Sequence, residues 1–331
     1  MCYIIRMKKI AIVGFGFMGR MHYGNWERIS GAKVVAICDA NLAQLHNVSG
    51  GNIAGADTST DFTGVAIYDD VGKMLAAGGF DAVDVTLPTP LHPEVAVAAL
   101  KAGCHVFCEK PMALDVASCD RMLAAAKRAG KVLLVGQCLR FWPEYVALKA
   151  MIDSGKYGKV VAADFSRSTP PPDGKGTHGW FLDEKKSGGC LLDMHIHDAD
   201  MVRFLFGPPK GASAVTHRRA SGLLDHAQIR YAYPDKVVTA TVSWAVSKTL
   251  GFEASFRVML EGATVVFDSK RAEPFMVYPQ KGRPFAPKVS PRSGYEAEQR
   301  YFLDIVRGRP VKTVLTARDA RDAVALVKSL A

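Results

Sequence analysis

The sequence predicts a two-domain α/β protein, with a doubly wound parallel sheet first and an α/β domain with a large, mostly antiparallel, open-faced sheet second. The length of 331 residues exceeds the ~100–200 residues of one typical domain. In residues 1–137 short apolar strands alternate with helices, which is typical of a parallel sheet covered on both faces. In residues 138–331 strand-like runs follow one another through turns, which favours antiparallel pairing.

The first half alternates strand and helix throughout. The predicted strands are 8–13, 33–38, 65–68, 81–87, 105–108 and 132–136. The predicted helices are 20–29, 69–77, 93–101 and 115–129. The first strand, helix and second strand form a βαβ unit, which connects parallel strands.

A glycine motif, G-x-G-x-x-G, follows the first strand and opens the first helix at Gly14, Gly16 and Gly19. In a Rossmann fold the first glycine allows a tight turn, the second lets backbone N–H groups approach a pyrophosphate, and the third permits close helix–strand packing. The helix N-terminus adds positive potential. Strand, motif and helix together predict a dinucleotide site.

The second strand ends at Asp39, 20 residues after Gly19. A carboxylate in this position accepts hydrogen bonds from the ribose 2′-OH and repels a 2′-phosphate. Ala40 and Asn41 follow, so no neighbouring Arg or Lys is present to hold a phosphate. The sequence therefore favours NAD over NADP.

The second half shows a different pattern. The predicted strands are 159–168, 212–217, 227–233, 237–246, 252–260 and 264–268. The predicted helices are 144–154, 188–206, 296–306 and 317–330, and loops are expected at 169–180 and 270–294. We expect helices on one sheet face, which leaves the other face for solvent or for oligomerisation.

Two groups of residues have chemistry suited to proton transfer. Lys110 follows a predicted strand at the end where ligands bind in open α/β sheets; its ammonium could polarise a hydroxyl, although a solvated lysine fits the position equally. Asp193 and His197 are four residues apart, hence on one face of a helix. A carboxylate beside an imidazole suits a general base, and a surface ion pair is the alternative.

Metal binding is the weaker interpretation of the histidines and cysteines. Asp193, His195 and His197 could hold zinc on a strand, but on a helix His195 points about 200° away from Asp193. Cys104 and Cys108 belong to an apparent core strand. Seven scattered cysteines are not a disulfide framework. We expect reduced thiols, a cytoplasmic protein and no metal.

The net charge of +10 at pH 7 is uneven along the chain. Residues 1–139 contain 13 basic and 12 acidic residues, and residues 140–331 contain 29 and 20. No nucleic-acid-binding motif is present, and no run approaches the ~20 apolar residues of a membrane helix. We therefore expect neither a nucleic acid nor a membrane as partner. The surplus predicts solvated surface or subunit contacts, with an acidic sugar substrate as the alternative.

The sequence resembles the Gfo/Idh/MocA family of sugar and polyol oxidoreductases over nearly its whole length. No single motif decides this, but their order along the chain is specific. The resemblance rests on the glycine motif, on Pro88 with His92, on Glu109-Lys110-Pro111, on Arg140-Phe141-x-Pro143, on Trp180, and on Asp193 with His197.

The resemblance implies NAD(P)-dependent oxidation of a ring hydroxyl of a sugar or cyclitol, by a homodimer or homotetramer assembled through the C-terminal sheet. Lys110 would contact substrate and cofactor, His197 would accept the proton and Asp193 would orient the substrate. The dinucleotide site would contain Gly14, Phe15, Gly16, Phe17, Met18, Gly19, Asp39, Pro88, His92, Glu109 and Gln137. The substrate site would contain Lys110, Arg140, Trp180, Asp193, His195 and His197.

Two departures from the family pattern leave the substrate open. Leu87 stands where many members have Thr, and His195 stands where many have Gly. Two other functions stay open. One is an enzyme that cleaves glycosides by transient oxidation with bound NAD, and the other is a non-catalytic sugar sensor. The presence of Lys110, Asp193 and His197 argues against the sensor.

Overall fold

The computed structural model describes residues 7–46, 62–172 and 179–330. The chain divides into two compact units. Unit 1 comprises Met1–Gln137 and Tyr295–Arg321, and unit 2 comprises Cys138–Gly294 and Asp322–Ala331. We therefore revise the proposed domain division, because residues 295–321 are grouped with the nucleotide-binding half instead of with the second half.

Unit 1 contains a six-stranded parallel sheet in the order β3-β2-β1-β4-β5-β6, which confirms the doubly wound fold. The strands are β1 (Lys8–Val13), β2 (Ala32–Cys38), β3 (Ala66–Tyr68), β4 (Ala82–Val85), β5 (His105–Cys108) and β6 (Leu133–Val135). The helices are α1 (Phe17–Arg28), α2 (Val71–Ala77), α3 (His92–Lys101) and α4 (Val116–Ala129), with short 3-10 turns at Leu42–His46 and Thr89–Leu91.

The core of unit 1 lies on both faces of its sheet. Strand β4 is buried along its whole length, as expected for a strand between two helical layers. The later segment closes one side: Trp26 of α1 contacts Phe302 with ring centroids 6.4 Å apart, and Phe302 contacts Phe107 at 5.4 Å. Phe302 belongs to α9 (Gly294–Val306). This helix is therefore part of the core of unit 1.

Unit 2 contains a seven-stranded sheet in the order β13-β12-β11-β7-β10-β9-β8, in which only the β7–β10 pair is parallel. The strands are β7 (Val160–Ser168), β8 (Ala212–Arg218), β9 (Leu224–Ala232), β10 (Val237–Ser243), β11 (Glu253–Leu260), β12 (Ala263–Asp268) and β13 (Phe275–Pro279). The helices are α5 (Pro143–Asp153), α6 (Glu184–Ser187), α7 (Gly189–Asp193) and α8 (Ile196–Phe206), with 3-10 turns at Cys138–Phe141 and Trp180–Leu182. The last helix, α10 (Ala317–Lys328), begins in the residues of unit 1 and ends in those of unit 2.

Two expectations about unit 2 are wrong. The segment 270–294, expected as a loop, contains β13, which pairs with β12 from Phe275 to Pro279. The single helix expected over 188–206 is two helices, because the N–H groups of Met194 and His195 both donate to the Cys190 carbonyl, at 3.2 and 2.9 Å. The expected loop at 169–180 falls partly on residues 173–178, outside the described part of the chain.

Helices cover one face of the unit 2 sheet and leave the other open. Tyr145 of α5 packs on Phe256 with ring centroids 5.0 Å apart, and Phe206 of α8 packs on Phe165 at 6.4 Å. On the open face Val215 and Val237 are 77% and 57% exposed.

Across residues 7–46, 62–172 and 179–330, no helix combines the length and the apolar character needed to cross a bilayer.

Candidate active site

The expected cofactor residues follow the carboxyl ends of the unit 1 strands. Gly14 follows β1, Asp39 follows β2, Glu109 and Lys110 follow β5, and Gln137 lies just after β6. Because all strands are parallel, these residues lie at one edge of the sheet, where open α/β sheets bind their ligands.

The glycine turn has the shape that a dinucleotide requires. Gly14 adopts φ +90° and donates its N–H to the Cys38 carbonyl at 2.8 Å. A Cβ on Gly19 would lie 2.2 Å from the Gly14 carbonyl oxygen, so only glycine allows this helix–strand approach. A Cβ on Gly16 would have no atom within 4 Å. The backbone at Gly16 therefore faces open space, where a pyrophosphate can approach.

Asp39 connects the second strand to the glycine turn. Its carboxylate accepts the Phe15 N–H at 2.6 Å and the Asn41 N–H at 2.8 Å. The Phe15 ring is buried edge-on against Tyr23, so Phe15 offers only its backbone to a ligand. Phe17 and Met18 open α1 and are partly exposed.

His92 holds two loops of this edge together and is itself buried. Its Nδ1 lies 2.9 Å from the Pro111 carbonyl and its Nε2 2.7 Å from the Leu87 carbonyl. Burial lowers the pKa of His92, and the contacts with these two carbonyls oppose the shift. Pro88, next to Leu87, begins the turn that leads into α3. Pro88 and His92 therefore fix the conformation of the loops at this sheet edge.

Lys110 is placed by its neighbour. The Glu109 N–H donates to the Val85 carbonyl at 2.8 Å, and Glu109 Oε2 accepts the Lys110 N–H at 3.0 Å. The Lys110–Pro111 peptide bond is cis. Glu109 is buried, so it holds the backbone of Lys110 and does not face a ligand directly.

Gln137 is 1% exposed, and neither end of its amide has a hydrogen-bond partner among the described residues. A buried amide without a partner is costly, and such groups are a recognised sign of a missing ligand. The open space at Gly16, the carboxylate of Asp39 and this amide together fit a dinucleotide.

A buried cluster of ionisable side chains that was not predicted from the sequence includes Glu109. His22 of α1, Glu109 and Glu298 of α9 each bring one side-chain atom within 4.8 Å of the other two. Among the described residues this is the only group of three or more metal-type ligands. Its signal in the sequence was Asp84, a charged residue inside an apolar strand, which contacts His22.

In unit 2, Asp193 ends α7 and His197 lies in the first turn of α8. The sequence predicted one continuous helix for both residues, but the chain turns at Met194 and His195 and places them on two helices. Both nevertheless remain partly exposed, whereas every other residue from 189 to 202 is buried. The turn thus presents a carboxylate and an imidazole, four residues apart, from an otherwise buried segment.

Two of the expected substrate residues are committed to packing within unit 2. Arg140 is 4% exposed and forms a bidentate pair with Asp200, at 2.8 and 2.7 Å. His195 is fully buried, and its Nε2 lies 2.6 Å from the Tyr231 hydroxyl. Both side chains thus have partners within unit 2, and their assignment to the substrate site stays a prediction.

Trp180 begins a 3-10 turn and stacks on Phe181, with ring centroids 4.0 Å apart. It is partly exposed and can offer a ring face to a ligand.

The six cysteines in the described part of the chain are all free and buried. Burial raises the pKa of Cys38 to about 11 and that of Cys119 to about 12, so these thiols are not nucleophiles.

Comparisons with known proteins identify both halves. Residues 8–137 match the oxidoreductase family with the NAD-binding Rossmann fold, GFO_IDH_MocA, and residues 145–266 match the GFO/IDH/MocA C-terminal domain. Myo-inositol 2-dehydrogenase from Thermotoga maritima is 34% identical over 201 residues, which are 60% of this chain and 55% of that protein. The chain thus aligns with only about half of this relative's length.

Other relatives match over more of the chain. Inositol 2-dehydrogenase 4 from Saccharopolyspora erythraea is 29% identical over 314 residues, covering 91% of this chain and 86% of that protein. The crystal structure of the WlbA dehydrogenase from Bordetella pertussis, in complex with NADH and UDP-GlcNAcA, superimposes with a TM-score of 0.81 at 22% identity over 98% and 95% of the two chains. With both of its domains matched, the chain belongs to the Gfo/Idh/MocA family of oxidoreductases.

Proposed function

We propose that this protein is an NAD-dependent dehydrogenase that oxidises a ring hydroxyl of a sugar, sugar derivative or cyclitol. The observation that carries the proposal is the placement of Lys110 at the same sheet edge as the glycine turn and Asp39. A cation beside a dinucleotide site suits the stabilisation of a developing alkoxide. The named dehydrogenase relatives support the substrate class.

The cofactor site would be formed by residues of unit 1. The backbone N–H groups at the N-terminus of α1, after Gly16, would hold the pyrophosphate. Asp39 would accept the ribose hydroxyls, which supports NAD over NADP. The Gln137 amide would gain the partner that it lacks. When bound, NAD supplies the acceptor for a hydride.

The chain's own residues would handle the proton and the charge. His197 would take the hydroxyl proton as a general base, since it is the exposed imidazole of its segment. Asp193 would orient the substrate and favour the protonated imidazole that results. Lys110 would stabilise the alkoxide oxygen as the proton leaves. Trp180 would provide an apolar face for the sugar ring.

We also propose that two copies of the chain associate through the open face of the unit 2 sheet. The exposed Val215 and Val237 support this, because contact with a second copy would remove their apolar surface from water. The face also carries polar pairs, such as the Thr239–Asp164 hydrogen bond of 2.6 Å.

The decisive experiment is a screen for NAD reduction with inositols, neutral sugars, uronic acids, sugar phosphates and glycosides. Stoichiometric NADH with an oxidised product supports the dehydrogenase. Glycoside turnover without net NADH would identify the cleavage reaction instead. An advantage of uronic acids or phosphates would show that the positive charge of residues 140–331 serves substrate binding.

Variants of the proposed catalytic residues should separate binding from chemistry. We expect Lys110→Met and His197→Asn to lower kcat by ~10²–10⁴-fold with little change in the Kd for NAD, because proton transfer and alkoxide stabilisation contribute that much. Lys73→Met, which removes an exposed lysine of α2, is the matched control and should retain full activity. A Lys110→Met enzyme with normal kcat would refute the role of Lys110.

A further inference from the structure

The interior of unit 1 contains four ionisable side chains from four elements. They are His22 of α1, Asp84 of β4, Glu109 after β5 and Glu298 of α9, with exposed fractions of 0, 1, 6 and 0%. Such groups are almost never buried unless they neutralise one another. Their arrangement therefore has to account for every charge.

His22 lies between two carboxylates. Its Nδ1 is 3.0 Å from each carboxylate oxygen of Asp84, and its Nε2 is 3.0 Å from Glu109 Oε1. The Trp26 indole N–H also donates to Asp84, at 2.7 Å. An imidazolium carries an N–H group on each ring nitrogen, so a protonated His22 can pair with both carboxylates. It hydrogen-bonds to Asp84, whereas its contact with Glu109 is an ion pair without hydrogen-bond alignment.

Glu298 is the unmatched member. Neither of its carboxyl oxygens has a hydrogen-bond partner within the described ranges of the chain. A Cβ on Gly136, at the end of β6, would lie 3.3 Å from Glu109 Oε1 and 3.5 Å from Glu298 Oε1. The two carboxyl groups therefore face the same small space beside the Gly136 backbone.

The charges permit one protonated carboxyl. Lys110 is the other charged group that acts on Glu109, and β6 (Leu133–Val135) carries no charged side chain. With His22 positive and Asp84 and Glu109 negative, a fourth ionised group would have no counter-charge. Two carboxyls confined in one site keep a proton on one of them.

We infer that the Glu109–Glu298 pair holds one proton, located on Glu298, beside His22, and that this cluster is a positioning device for Lys110. The link to Lys110 is direct, since Glu109 Oε2 accepts the Lys110 N–H at 3.0 Å while Glu109 Oε1 faces His22. A shift of the Glu109 carboxylate would therefore move the Lys110 backbone. Only the role of Lys110 rests on the proposed function; the proton on Glu298 does not.

The acid–base properties of the cluster agree with this arrangement. Burial works against a charged His22, but the charges and hydrogen bonds of Asp84 and Glu109 outweigh it and raise its pKa well above the usual value. Burial, followed by the negative charge of Glu109, raises the pKa of Glu298 well above its usual value. Glu298 thus keeps its proton where most carboxyl groups are ionised.

The first test measures thermal stability against pH in Glu298→Gln, which imitates the protonated acid. Between pH 5 and 8 the unfolded wild type releases the Glu298 proton and the folded wild type keeps it, so wild-type stability falls as the pH rises. The variant has no such proton. Because the difference accumulates over three pH units, we expect its Tm relative to wild type to increase by roughly 6–12 °C over this range.

The matched control is Glu296→Gln, the same change in the same helix, where Glu296 pairs with Arg300 at 2.7 Å. Its Tm difference from wild type should not increase with pH. If the Glu298→Gln difference stays constant or decreases as the pH rises, Glu298 is ionised in the folded protein and the inference is wrong. A Tm lowered by EDTA in wild type but not in Glu298→Gln would overturn it in favour of a cation site.

The second test uses the substrate found in the screen. Glu298→Met removes the Glu298 proton and should lower kcat by at least about tenfold with an unchanged Kd for NAD, since a displaced Lys110 impairs the chemical step. Glu298→Gln should restore kcat. Full activity of a folded Glu298→Met enzyme would refute the positioning role. If no substrate is turned over at all, the proposed function fails, while the stability test still decides whether Glu298 holds the proton.

Discussion

His195 lies in the interior of unit 2, where the Tyr231 hydroxyl is its hydrogen-bond partner and the two rings stack 6.1 Å apart. Burial lowers its pKa to about 4; the nearby Asp198 opposes this shift and Arg167 reinforces it. The imidazole is therefore neutral at physiological pH. The two histidines of the 193–197 segment differ because the chain turn buries one and exposes the other.

A buried neutral histidine makes unit 2 sensitive to acid. In the unfolded chain His195 takes up a proton near pH 6.5, whereas the folded protein excludes it until about pH 4. Stability is therefore complete above pH 6.5 and decreases as the pH falls toward 4. We expect His195→Gln to remove about 2 kcal/mol of this loss at pH 5, as measured by calorimetry at pH 5 and 7.

The change to glutamine keeps a polar partner for Tyr231, so both proteins should have similar stability at pH 7. The result to compare is the slope with pH and not the stability at one pH. Parallel pH curves for wild type and His195→Gln would show that His195 is already protonated in the folded protein.

At the scale of elements, the site residues at the carboxyl ends of the unit 1 strands could be predicted from the sequence. The buried cluster of ionisable side chains from distant elements could not. Topology alone places Gly14, Asp39 and Lys110 at one edge, because parallel strands end together. The cluster that brings His22 near Glu298 joins residues far apart in the sequence, and no local pattern encodes it. Likewise β13 was missed because its apolar run lies between basic, Pro- and Gly-rich segments, and pairing with β12 decides its conformation.

The turn after β1 allows two glycines to be tested separately. Gly19→Ala would place a Cβ 2.2 Å from the Gly14 carbonyl oxygen, so we expect a loss of about 1–3 kcal/mol in unfolding free energy. Gly16→Ala meets no atom within 4 Å, so the protein should fold normally. NAD titration by calorimetry should nevertheless show a Kd at least ~10-fold weaker, because the methyl group occupies the cofactor's approach.

These two substitutions should thus affect different quantities. A Gly16→Ala protein that binds NAD as tightly as wild type would place the pyrophosphate elsewhere. Unchanged stability of Gly19→Ala would show that α1 can move away from the turn after β1.

At the scale of the whole molecule, the positive charge and the open sheet belong to the same half of the chain. Residues 140–331 hold nine of the ten excess charges. On the open face the charges are balanced in places: Arg257 of β11 is in register with Asp164 of β7. Association of two copies there would depend on the apolar residues between such pairs.

The oligomeric state tests this face directly. We expect the wild type to have the mass of a dimer or tetramer by light scattering, and a Val215→Asp/Val237→Asp double variant to have a lower mass, because each carboxylate would be buried without a partner. Val146→Asp is the control, as Val146 is 47% exposed on α5, away from the sheet. A monomeric wild type, or an unchanged mass of the double variant, would contradict the proposal.

The grouping of residues 295–321 with unit 1 has a consequence for how the protein is made. On the ribosome, the Rossmann sheet emerges long before the helix that carries Glu298, Gln299 and Phe302. Until that helix arrives, Trp26 lacks its aromatic partner and Asn25 lacks the Gln299 oxygen that it contacts at 2.7 Å. The nascent nucleotide-binding unit therefore stays incomplete, with apolar surface exposed, while the Cys138–Gly294 part of unit 2 is synthesised.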